Sequence, residues 1–138
     1  DVTLLDAEGN ATKVSAMSNE GISGNYLSSE GITGLDVWGT QAKWMNLYGN
    51  IGDEKISVVI CDHPQNHGYP TYWHARGYGL FAANPLGLKD FTKGKEELNF
   101  SIAAGQSVTF KYRIIISSNS HLTNSEIDGF VTGFTEKY

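Results

Sequence analysis

The sequence predicts an all-β fold: an antiparallel β-sandwich with one short C-terminal helix. Three observations predict it. Apolar and polar residues alternate over several short windows, most clearly along Ser107-Val108-Thr109-Phe110-Lys111-Tyr112-Arg113-Ile114. Turn chemistry recurs between those windows, with 16 Gly in 138 residues. The period changes to that of a helix only at the end of the chain. Residues 1–138 are one domain's worth of polypeptide, and 40% hydrophobic residues can build its core.

Asp1 to Asp6 reads as a strand entered in mid-stride, so the chain is expected to be the C-terminal part of a longer protein or one that has lost a leader. The region to residue 40 is rich in Gly, Ser and Asn, the residues of turns. Asn19-Glu20-Gly21-Ile22-Ser23-Gly24 resembles Ser29-Glu30-Gly31-Ile32-Thr33-Gly34 and reads as two similar loops, with Glu20 and Glu30 as turn residues. Ala42 to Tyr48 reads as a strand, Asn50 to Glu54 as a turn and Lys55 to Cys61 as a strand buried on both faces. Together they make a hairpin. Pro64 and Pro70 interrupt residues 62–76, which read as a long loop or a broken edge strand. Gly77 to Ala83 reads as a short aromatic strand and Asn84-Pro85-Leu86-Gly87 as a turn. Leu98 to Ile102 and Ser107 to Ile116 form two more strands about an Ala104-Gly105-Gln106 turn, with Val108, Phe110, Tyr112 and Ile114 on one face. His121 falls in a polar loop and is expected to be solvated. Ile127, Phe130, Val131 and Phe134 then make one helical stripe after an Asn124 or Ser125 cap. Gly129 and Gly133 weaken that helix, so it needs the body of the protein behind it.

Charge and composition exclude several functions. Ten Lys and Arg against 15 Asp and Glu give a net charge of −5, with no basic footprint for nucleic acid. No apolar run approaches the ~20 residues of a membrane span. The single Cys61 rules out an intrachain disulfide and reads as a buried strand-end thiol. No Ser-centred elbow, P-loop or dinucleotide fingerprint is present. The preferred localisation is periplasmic or secreted rather than cytoplasmic.

Functional residue types concentrate in one window, Cys61 to Tyr78. It holds three of the four His, three of the seven Tyr and two of the three Pro. Three readings stay open there. In the first, a saccharide or other small polar ligand stacks its C–H face on Tyr72, Trp73 and Tyr78, while Asp62, His63, His74 and Arg76 bond its hydroxyls. His74, His63 and Asp62 are then the catalytic candidates, with His74 as acid/base. In the second, His63, His67 and His74 hold a divalent metal, although their spacing matches no helical metal motif. In the third, the window is a non-catalytic structural or interaction module. No cofactor is expected beyond that possible metal. Trp38 and Trp44 are expected to be core or rim residues. A homo-oligomer, or packing against a missing N-terminal half, would complete the partners.

Asp62-His63-Pro64 with Pro70-Thr71-Tyr72-Trp73-His74-Ala75-Arg76-Gly77-Tyr78-Gly79-Leu80-Phe81-Ala82-Ala83-Asn84-Pro85-Leu86-Gly87 resembles the signature of the PmoA-like family, a bacterial family of unknown function often labelled methane oxygenase PmoA. Ser28-Ser29-Glu30-Gly31 with Trp38-Gly39 and Trp44, and Gly105-Gln106-Ser107 with Phe110-Lys111-Tyr112-Arg113, resemble two further blocks of it. The resemblance covers about residues 28–117 and implies the C-terminal half of a member. It also implies half of a galactose mutarotase-like supersandwich, a setting in sugar processing, and Asn84 among the ligand-binding residues. The methane-oxygenase label implies no reaction here, because such a membrane subunit needs spanning helices.

Overall fold

The computed structural model describes residues 2–6, 8–14 and 24–138. Its architecture is all-β and antiparallel, sandwich-like, with one helix of length at the C-terminal end. The first of the two Glu-Gly-Ile segments, with Glu20, lies outside the described residues. Strands β1 (Val2–Leu5) and β2 (Ala11–Val14) pair as a hairpin. Asp6 organises its turn by accepting the backbone N–H groups of Glu8 and Asn10 and the Asn10 amide. Those bonds, led by the Asn10 side chain, hold its carboxyl below the ordinary range.

The central sheet runs β3-β4-β5-β8. Strand β4 (Trp44–Ile51) and β5 (Glu54–Asp62) form the expected hairpin, from Trp44 opposite Cys61 to Ile51 opposite Glu54. Gly52, at φ 59°, begins its two-residue turn, where a left-handed backbone suits the twist of the strands. Strand β3 (Asn25–Ser28) was legible only as turn-rich sequence. Its four residues gain their conformation from the ladder to β4. The Ser28 hydroxyl then accepts the N–H groups of Glu30 and Ile32, which makes Ser29-Glu30-Gly31 the turn that was expected.

The two faces of this sheet have different covers. One packs Trp44, Val59 and Cys61 against Ile127 and Phe134 of α2 (Asn124–Lys137). Trp44 also donates its indole N–H to Asp128, at 2.8 Å. The helix is capped by Thr123 rather than Asn124 or Ser125. The Thr123 hydroxyl accepts from Glu126 N–H, and the Glu126 carboxylate accepts from Thr123. Of the expected stripe, Phe130 is exposed. The opposite face packs Tyr26 and Met45 against Trp73 and Ala75 of β6 (Tyr72–Arg76), which pairs with β7 (Leu80–Asn84). That hairpin covers only part of the sheet. Consequently Ser57, Val59 and Cys61 of β5 are buried, whereas Ile56, Val58 and Ile60 are half-buried rather than enclosed on both sides.

The last strand, β8 (Tyr112–Ser118), is shorter than its sequence pattern. Residues 98–102 and 107–111 are expected to be strands but carry no ladder. Asn99 takes a left-handed φ of 47°, which breaks the first run. In the second, the Asn66 side chain bonds the N–H and C=O of Lys111 in place of a neighbouring strand. His121 is not a solvated loop residue: its Nε2 lies 3.0 Å from the Gly49 carbonyl and its ring meets Tyr48. No helix among the described residues is long and apolar enough to cross a membrane.

Candidate functional site

The window from Cys61 to Tyr78 folds as a buried layer with an outer face above it. Its lower layer begins at the end of β5. Asp62 is 1% exposed and accepts the Asn66 amide at 2.7 Å and the Thr71 N–H at 2.8 Å. Thr71 follows the cis Tyr69-Pro70 bond and immediately precedes Tyr72, so Asp62 fixes where β6 begins. Burial pushes its carboxyl above the ordinary range, against the opposing pull of those hydrogen bonds. His63 is equally buried. Its Nδ1 accepts from Gln65 N–H, so the neutral ring carries its proton on Nε2. That Nε2 has no hydrogen-bond partner among the described residues, and the ring meets Phe134 edge-on at 5.0 Å. Tyr112, whose hydroxyl is likewise buried and unpartnered, is pushed up to about 12 by burial and by Asp62.

Period-2 geometry sorts the residues of β6. Trp73 and Ala75 point into the core; Tyr72, His74 and Arg76 share the outer face with Asn84 and Leu80 of β7. Trp73 was expected on the stacking side, but it is fully enclosed and donates its indole N–H to the Ala42 carbonyl. Asp62 and His63 were expected on the polar side as catalytic candidates; they lie beneath the surface instead. Tyr78 sits at the tip of the β6–β7 hairpin between Gly77 and Gly79. Tyr72 starts β6 at the other end, about 13 Å away for four residues of strand. Tyr72, Trp73 and Tyr78 therefore form no common wall.

The outer face has partners that its sequence did not advertise. The short helix α1 (Leu88–Phe91) lays Phe91 over it. The Phe91 ring stacks on Tyr72 at 5.2 Å and meets Trp38 and His74 edge-on, at 5.4 and 5.9 Å. Arg76 lies over the Trp38 ring, 4.4 Å from its centre. Gly87 makes room for this arrangement. A Cβ there would come within 2.6 Å of Phe91 and 2.7 Å of the Asn84 amide. Asn84 accepts the N–H of Leu86, which holds the turn into α1.

Beside Tyr72 opens a cleft of about 280 Å³. Its walls include Tyr69, Tyr72, Pro85 and Leu88, with Gln41 and Glu96 as polar groups. Gln41 is anchored through its amide to the Pro70 carbonyl at 2.8 Å. Gln41, Glu96 and Phe91 were not singled out by sequence, because each is brought in from outside the dense window. The three histidines of the metal reading are dispersed. His63 is under Phe134, His67 against Phe100 and His74 against Phe91. Among the described residues, no group of three or more His, Cys, Asp or Glu could hold a metal ion. Cys61 is buried and its thiol is pushed up to about 12 by burial, as befits an inert core residue.

Residues 9–131 match a family of unknown function, DUF6807, and the chain belongs to that family. No curated protein and no solved structure matches the chain.

Proposed function

We propose that this member of the DUF6807 family binds a saccharide, or a small polar ligand of like chemistry, in the cleft beside Tyr72. The observation that carries the proposal is the composition of that cleft. Two tyrosine rings can face the C–H side of a sugar, while an anchored amide and a carboxylate, Gln41 and Glu96, can exchange hydrogen bonds with its hydroxyls. Asn84 stands opposite Tyr72 on β7, and His74 and Arg76 follow Tyr72 along the outer face of the hairpin, outside the walls of the cleft. His74 is the acid/base candidate for any reaction there, since Asp62 and His63 are occupied in holding the scaffold. The resemblance to the PmoA-like family and to mutarotase-like supersandwiches supports the sugar class by analogy.

Calorimetry against mono- and oligosaccharides tests the proposal. Binding is expected, and Tyr72→Ala and Glu96→Gln should each weaken it about tenfold, worth ~1.4 kcal/mol. Absence of binding at millimolar sugar, or binding indifferent to both substitutions, overturns it.

A second reading is favoured by the burial of Trp73, Asp62 and His63. On it the domain is a non-catalytic module whose signature residues serve the fold. Sugar binding with no turnover of the bound sugar would unite the two.

A further inference from the structure

We propose that the outer edge of β8 pairs with β8 of a second copy of this chain, joining two central sheets about a two-fold axis. Strand β8 ends the order β3-β4-β5-β8 and, among the described residues, is laddered to β5 alone. Among the described residues, no other backbone hydrogen-bonds to the main chain of residues 112–118. Its seven residues hold no proline, and among the described residues no loop pairs with its outer edge, which makes it a template for another strand. The side chains beside it point the same way. Ile114 and Ile116 are 64% and 73% exposed, and they continue the aliphatic row of Ile60 and Val58 to which they are registered.

The strand is its own complement. It reads Tyr112-Arg113-Ile114-Ile115-Ile116-Ser117-Ser118. A two-fold axis through Ile115 places Ile114 opposite the partner's Ile116 and Ile116 opposite the partner's Ile114. Arg113 then faces the partner's Ser117 and Tyr112 the partner's Ser118. Aliphatic residues meet aliphatic residues, and no like charges oppose each other along an edge that carries no carboxylate. Two copies with a net charge of −5 each can therefore meet here without local repulsion. The contact is isologous and closes at two. A foreign strand could use the same hydrogen bonds, but only a second copy is guaranteed this register.

Sedimentation equilibrium of the chain at rising concentration reads the result. Twice the 15.1 kDa mass is expected at the upper end. Ile116→Lys, at an exposed position that leaves the fold intact by circular dichroism, should halve that mass. Ile51→Lys, on the same face but two strands from the edge, should leave the dimer unchanged. A double variant, Ile114→Cys with Ile116→Cys, should cross-link into a covalent dimer on mild oxidation. Any one of four outcomes overturns the proposal: a monomer throughout, assembly beyond two, equal loss with Ile51→Lys, or a monomer that forms a defined complex with another polypeptide.

Discussion

Asp62 shows how one buried carboxylate can hold a segment in place. It accepts from Asn66 and from Thr71, and through Thr71 it sets the start of β6. Asp62→Ala leaves those donors buried and unpaired, an expected loss of about 1–3 kcal/mol in denaturant unfolding. Burial raises its folded carboxyl above the unfolded reference of 3.8. The folded state therefore binds the proton more tightly. Its contribution to stability is fully present below that reference and is lost as pH rises through the folded value. Acidification from neutrality should accordingly raise the stability of the native chain relative to Asp62→Asn; an equal pH slope in both would contradict this. The density of polar residues around Asp62 was legible in the sequence, but their direction was not. The side chains at the end of β5 turn inward to meet Asn66 and Thr71, and nothing in residue type marks that. Trp73 differs. Its inward aim follows from the alternation Tyr72-Trp73-His74-Ala75-Arg76, and Pro64 and Pro70 concealed it by making the stretch look like a loop.

Among the elements, α2 was read most fully. Ile127, Val131 and Phe134 of its apolar stripe face the core, Phe130 is exposed, and its cap was displaced by one residue. Thr123 with Glu126 three positions later is a capping-box pattern, and it outcompetes Asn124 and Ser125 because two bonds close it. The Glu126 carboxyl is lowered by those bonds, the Thr123 N–H first. Gly129 and Gly133 have nothing within 4 Å of where a Cβ would stand. Gly129→Ala and Gly133→Ala should each stabilise the protein by roughly 0.5–1 kcal/mol, and the pair by about the sum, in thermal or denaturant melts. A loss of stability would mean that the two glycines serve a contact. The segments at 98–102 and 107–111 taught the opposite lesson. Alternation reports a chain suited to a pleated surface, but a ladder also needs a neighbour. Without one, Asn99 turns the chain and Asn66 takes the Lys111 backbone.

At the scale of the molecule, one four-stranded sheet separates two cores, roofed by α2 on one side and by β6–β7 on the other. Both cores share β4 and β5, so neither can open alone. Far-ultraviolet circular dichroism and the labelling of Cys61 by a thiol reagent should therefore report the same unfolding midpoint. Separate midpoints would show that one roof lifts first. The sandwich class was legible because strands, turns and a terminal helix each leave a local period. The partial cover of one face was not, since it depends on how far a hairpin reaches across a sheet. The same division distributes the tryptophans. Trp44 lies in one core, Trp73 in the other and Trp38 beneath Arg76 and beside Phe91. The protein thus carries three built-in optical probes with separate addresses. Acrylamide reaches the half-buried Trp38 first, so quenchable emission reports on the Arg76 and Phe91 contacts over the β6–β7 hairpin while the blue-shifted remainder reports on the two interiors.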